Sequence, residues 1–175
     1  MRQQCIFILG GARSGKSSFA LKLAQAMSDR VLFVATAEVK DEEMAERVQK
    51  HRQSRPPSWQ VLEAPSSVGR RIYQEKGFDV VIIDCLSLLV SNLLIKGKRA
   101  GVEGRVSKEI EEIKACIESL DATFIIVSNE VGMGLVPPNK LGRVYRDLLG
   151  WVNQVIATFS QEVYLTVSGL HLRLK

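Results

Sequence analysis

Runs of consecutive apolar residues alternate with stretches whose apolar positions recur at helical spacing. The runs predict strands at Gln4–Leu9, Val31–Ala35, Trp59–Leu62, Asp79–Ile83, Thr123–Ser128 and Val163–Val167. The periodic stretches predict helices at Lys16–Met27, Val39–Gln53, Ser66–Lys76, Leu86–Ile95, Arg105–Leu120 and Leu141–Phe159. Strands as uniformly apolar as "VVII" and "TFIIV" are expected to be buried on both faces. Alternating with helices, they imply a mostly parallel sheet between two helical layers, an α/β three-layer sandwich. The tail reads differently. "EVYLTV", then Ser168-Gly169, then "LHLRLK" predicts a hairpin with a two-residue turn, adding an antiparallel edge strand. No repeat or linker divides the chain, so residues 1–175 are read as one domain. Lys96–Gly104, "KGKRAGVEG", is expected to be a mobile loop.

Composition narrows the class. An apolar share of 46% and a charged share of 25% suit a globular protein able to bury a core. The net charge of +5 favours anionic ligands, but no block of Lys and Arg suggests a nucleic-acid partner. No stretch reaches the roughly 18 apolar residues of a membrane span, and the five-residue run near the N-terminus is too short for a signal-peptide core. Cys5, Cys85 and Cys116 lie in apolar surroundings without metal-ligand spacing. They read as reduced core thiols, and the expected compartment is the cytoplasm.

Between the first strand and the first helix stands "GGARSGKS", Gly10–Ser17, which fits G-x-x-x-x-G-K-[ST]. Glycines there let backbone N–H groups curl around a phosphate chain, and the helix N-terminus adds positive potential. Lys16 would reach the outer phosphates and Ser17 would ligate Mg2+. Such a phosphate loop needs an acidic partner at the end of a buried strand. Asp84, after "VVII", supplies one, as a metal ligand or as the cap of the helix from Leu86.

Two further clusters carry chemistry. The segment "KDEEMAERVQKHRQSRPPSW" starts acidic and ends basic, complementing a helix dipole, and Pro56-Pro57 stops it. His51 lies there beside Arg47, Arg52 and Arg55, which favour a neutral imidazole and attract phosphates. Its spacing from Met44 and Val48 is that of an amphipathic face, which is the simpler reading of that histidine. The third cluster, "SNEVGMGLVPPNK", begins with Ser128-Asn129-Glu130 at a strand end, where ligands bind in such sheets.

Together, "GGARSGKS", "DEEMAERVQKHRQSRPPSW", "DCLSLLVSNLL" and "SNEVGMGLVP…GRVYRDLLGWVNQ" resemble the bifunctional adenosylcobinamide kinase/adenosylcobinamide-phosphate guanylyltransferases of cobalamin biosynthesis, nearly end to end and in order. The resemblance implies a RecA-like P-loop NTPase fold and a homotrimer. It implies phosphorylation of adenosylcobinamide by ATP or GTP, then transfer of GMP from GTP onto that phosphate with release of pyrophosphate. The guanylyl group would ride on His51. Nucleotide contacts would fall on Gly10, Gly11, Ala12, Arg13, Ser14, Gly15, Lys16 and Ser17, on Thr36, Ala37 and Glu38, on Arg52, Gln53, Ser54 and Arg55, and on Glu63 and Asp84. Ser17 and Asp84 would hold Mg2+. Lys50 stands where some members carry a second histidine. Two other readings compete: a P-loop small-molecule kinase with a structural His51, and a nucleotide-driven switch acting on a partner protein.

Overall fold

The computed structural model describes residues 4–38, 49, 55–96 and 100–175. Among the described residues, seven strands form one sheet: β1 (Gln4–Gly10), β2 (Val31–Ala35), β3 (Gln60–Glu63), β4 (Val80–Asp84), β5 (Thr123–Val127), β6 (Glu162–Val167) and β7 (Leu170–Arg173). Their order across the sheet is β3-β2-β4-β5-β1-β6-β7. Every neighbouring pair is parallel except β6–β7, the antiparallel hairpin at one edge. The α/β sandwich with an antiparallel edge is therefore as the sequence predicts, and it is consistent with a P-loop NTPase.

Alternate side chains of the apolar strands explain the layers. Ile6, Ile8, Phe33, Ile82 and Ile125 point to the face covered by α1 (Lys16–Met27), against Ala20, Leu21 and Ala24. Cys5, Phe7, Leu32, Val81, Ile83 and Phe124 point to the other face. That face is covered by α2 (Val68–Ile72), α3 (Leu86–Lys96), α4 (Val102–Ser119) and α5 (Lys140–Phe159). The three cysteines are free thiols. Burial pushes the pKa of Cys5 and Cys85 up to about 11 and that of Cys116 to about 12, so all three stay protonated near neutral pH. No helix among the described residues is long and apolar enough to cross a membrane.

Several boundaries differ from the sequence reading. The strand predicted from Trp59 begins at Gln60, because the Trp59 N–H closes a turn onto the Pro56 carbonyl at 3.2 Å. The helix predicted over Ser66–Lys76 is only Val68–Ile72. After it, Gln74 and Glu75 donate to carbonyls three residues back, and Gly77 at φ 84° turns the chain toward β4. Four of the nine residues of the expected mobile loop are helix: Lys96 ends α3, and Val102, Glu103 and Gly104 form the first turn of α4 behind a left-handed Gly101. The helix predicted over Val39–Gln53 lies outside the described residues, apart from Gln49.

Candidate active site

All parallel strands end at one edge of the sheet, and the register aligns those ends. Ala35 faces both Glu63 and Asp84, Asp84 faces Val127, and Gly10 faces Thr166. The loops after β1, β2, β4, β5 and β6 thus meet along this edge.

The phosphate loop leaves β1 at Gly10. A Cβ on Gly10 would collide with the Thr166 carbonyl oxygen and with Ser14 Oγ, so the close approach of β6 requires glycine. Arg13 at φ 56° and Gly15 at φ 100° turn the loop into the first residue of α1. Lys16 is that residue. It is only 7% exposed, and its Nζ donates to the Gly11 carbonyl at 2.5 Å, folding the ammonium back across the loop. Burial pushes its pKa down, and the charge of Asp84 beside it offsets this only in part. Ser14 Oγ is buried without a hydrogen-bond partner among the described residues, and so is Thr166 Oγ1 from the neighbouring strand. Such hydroxyls are uncommon in a finished interior and suit a place where a ligand or water completes the bonding.

Asp84 is the half-buried last residue of β4. The Asp84–Cys85 peptide is cis. Thr36 locks the adjoining strand ends together: its Oγ1 donates to the Cys85 carbonyl at 2.7 Å and accepts from the Cys85 N–H at 2.8 Å. Its own carbonyl accepts from Asn92 Nδ2 of α3 at 2.8 Å. The Thr36 hydroxyl is thus engaged in holding the Asp84–Cys85 turn. Glu38 pairs with Lys96 at the end of α3. Ala37 is half-buried beside them, and Glu63 ends β3 in an exposed position. The Arg55 guanidinium stacks over the Phe33 ring at 4.0 Å, a cation–π contact that anchors the entry to β3.

Beyond β5 the loop is braced from both sides. Ser128 Oγ donates to Asn153 Oδ1 at 2.7 Å, and the Glu130 N–H donates to the Gly10 carbonyl at 3.0 Å, tying this loop to the phosphate loop. Arg146 of α5 donates to the Gly132 carbonyl at 2.8 Å, and Arg143 to those of Pro137 and Pro138. The arch so fixed leaves Met133 and Leu135 81% and 97% exposed.

The edge therefore gathers Gly10–Ser17, Thr36–Glu38, Glu63, Asp84 and Ser128–Glu130. His51, Arg52, Gln53 and Ser54 lie outside the described residues. Sequence reasoning missed Asn92, Lys96, Arg143 and Arg146. Asn92 had a signal, a polar residue in the apolar run "LLVSNLL" that must find partners when buried. The others are helix cations whose partners are backbone carbonyls or a distant carboxylate.

The family described as "Cobinamide kinase / cobinamide phosphate guanyltransferase" matches residues 6–174. The chain belongs to this family. It is 37% identical over 180 residues to the Escherichia coli bifunctional adenosylcobalamin biosynthesis protein CobU, covering 97% of this chain and 99% of the relative. It is 40% identical over 169 residues to the Pseudomonas aeruginosa bifunctional adenosylcobalamin biosynthesis protein CobP, covering 96% and 95%. The Salmonella typhimurium CobU is 37% identical over 180 residues, with 97% and 99% covered.

Proposed function

We propose that this chain phosphorylates adenosylcobinamide with ATP or GTP and then transfers GMP from GTP to the new phosphate, yielding adenosylcobinamide-GDP and pyrophosphate. Membership of the cobinamide kinase / cobinamide phosphate guanyltransferase family supports both activities over a simple kinase. The observation that carries the reading is the loop Gly10–Ser17, with Lys16 folded over it and Asp84 beside that lysine.

In the kinase step the substrate hydroxyl attacks the γ-phosphorus and the bond to the β-phosphate oxygen breaks. The Lys16 ammonium and the loop N–H groups stabilise the charge spread over the transferring oxygens. In the second reaction the His51 imidazole attacks the α-phosphorus of GTP, and pyrophosphate leaves. The phosphate of the corrinoid then attacks the same phosphorus, the P–N bond breaks, and the imidazole is restored. The Ser17 hydroxyl and the Asp84 carboxylate are hard oxygen donors that would hold a magnesium ion. When bound, that ion supplies charge neutralisation at the phosphates. Arg52, Gln53, Ser54 and Arg55 follow the proposed nucleophile in sequence and would steady the nucleotide near it, with Glu38 and Glu63 toward its sugar and base.

The reading includes a homotrimer working in the cytoplasm, where nucleoside triphosphates are abundant. Light scattering with a trimer mass supports the assembly; a concentration-independent monomer removes it. The activity itself is tested by incubating the protein with adenosylcobinamide, GTP and Mg2+ and weighing the corrinoid. A product heavier by one GDP unit is expected, and a phosphate ester alone would leave only the kinase.

A further inference from the structure

The C-terminal hairpin grips the phosphate loop at one point and the first turn of α1 at another. Its turn residues Ser168 and Gly169 lie at φ 50° and 81°, the paired left-handed geometry of a tight hairpin turn, closed by the Val167–Leu170 pair. From this turn the Gly169 N–H donates to the Ser14 carbonyl at 2.9 Å. A Cβ on Gly15 would come within 3.3 Å of the Gly169 Cα, so loop and turn lie nearly backbone to backbone. The second grip is one helical turn on. Phe19 donates its N–H to the Gly15 carbonyl at 3.0 Å. Its ring stacks on His171 of β7, with centroids 3.7 Å apart and planes within 9°, and meets Tyr164 of β6 edge-on at 5.2 Å.

The first contact has a consequence for phosphate binding. A trans peptide directs its C=O and N–H to opposite sides. With the Ser14 carbonyl turned to the hairpin, the Gly15 N–H of the same peptide is turned away from it. Glycine accepts φ of either sign, so this peptide could rotate at little cost if nothing outside the loop held it. We propose that the Ser168–Gly169 turn is a positioning element for phosphate binding: its Gly169 N–H holds the Ser14–Gly15 peptide so that the Gly15 N–H is presented to the nucleotide phosphates. The stack of His171 on Phe19 keeps the hairpin seated on α1 while it does so. The proposal rests on reading Gly10–Ser17 as a phosphate cradle.

The test is calorimetric titration of the full chain with inorganic tripolyphosphate and with GTP, alongside thermal melting without ligand. A β-branched residue is disfavoured at positive φ, whereas Asn tolerates it. Ser168→Val should weaken both ligands by the same factor, about tenfold, the scale of one hydrogen bond to a charged group. Its ligand-free melting should fall by only a few degrees, the scale of strain in one turn, and Ser168→Asn should melt and bind like the parent. If Ser168→Val does not fold, Gly169→Ala serves. Its Cβ would meet nothing within 4 Å, so only the turn conformation is disturbed, and a smaller loss of the same kind is expected. Parent-like tripolyphosphate binding by a folded Ser168→Val or Gly169→Ala overturns the proposal, as does a loss confined to GTP. A parent that binds no tripolyphosphate would remove the cradle reading itself.

Discussion

Lys16 sits where a phosphate-binding cation is useful and a structural one is costly. Its ammonium is buried, burial lowers its pKa, and it donates to the Gly11 carbonyl of the loop it crosses. Lys16→Ala should therefore leave thermal stability unchanged or slightly higher, since a desolvated charge is removed. Both activities should fall at least a hundredfold, the usual scale when a preorganised charge on a transferring group is lost. Near-normal turnover of either reaction would show that this loop does not serve both. Asp84→Asn retains the shape and any capping role but loses the charge. Activity should drop severalfold or more, and the magnesium concentration for half-maximal rate should rise. An unchanged magnesium titration would make Asp84 a cap only. The places of these two residues, at the start of α1 and the end of β4, were legible in the sequence because loop motif and strand end each have a fixed relation to the fold. Thr36 was legible as a position but not in its role, since the bonds of its hydroxyl to Cys85 depend on how β2 and β4 end side by side.

At the scale of elements, the sequence reading succeeded where one face of a segment had to be buried and failed where a cap came from far away. Among the described residues, the strands and long helices are near their predicted places because apolar runs and helical periodicity express burial directly. The short α2 could not be bounded this way. Its start is set by Glu109 of α4, whose carboxylate accepts from the N–H groups of Ser67 at 2.9 Å and Val68 at 2.7 Å. Ser67 is held at φ 56° there, and a Cβ on Gly69 would run into the Glu112 backbone. Glu109→Ala should cost about 2–3 kcal/mol in denaturant unfolding, because two N–H groups lose a charged acceptor in a site that is almost closed to water. Glu109→Gln, which can still accept one bond, should cost about half as much. A loss under 0.5 kcal/mol, the range of ordinary surface changes, would show that water replaces the carboxylate. The same distance in sequence hid the hairpin's grip on the phosphate loop, since residues 14 and 169 meet only once β6 lies beside β1.

At the scale of the molecule, the parallel order brings the ends of β1, β2, β3, β4 and β5 to one edge, and the antiparallel hairpin closes that edge beside β1. A shared phosphate cradle, with a nucleophile needed for only one of the reactions, is the basis we propose for two activities on one small chain. The most direct measurement is His51→Asn, assayed with labelled GTP for the covalent adduct and with adenosylcobinamide for each product. Asn has similar size and polarity but cannot carry a guanylyl group. Phosphorylation of adenosylcobinamide should persist within about tenfold, or 1.4 kcal/mol of barrier. Guanylyl transfer and the acid-labile protein–GMP adduct should vanish together. An adduct that persists, or loss of both activities with the fold intact, would contradict the account.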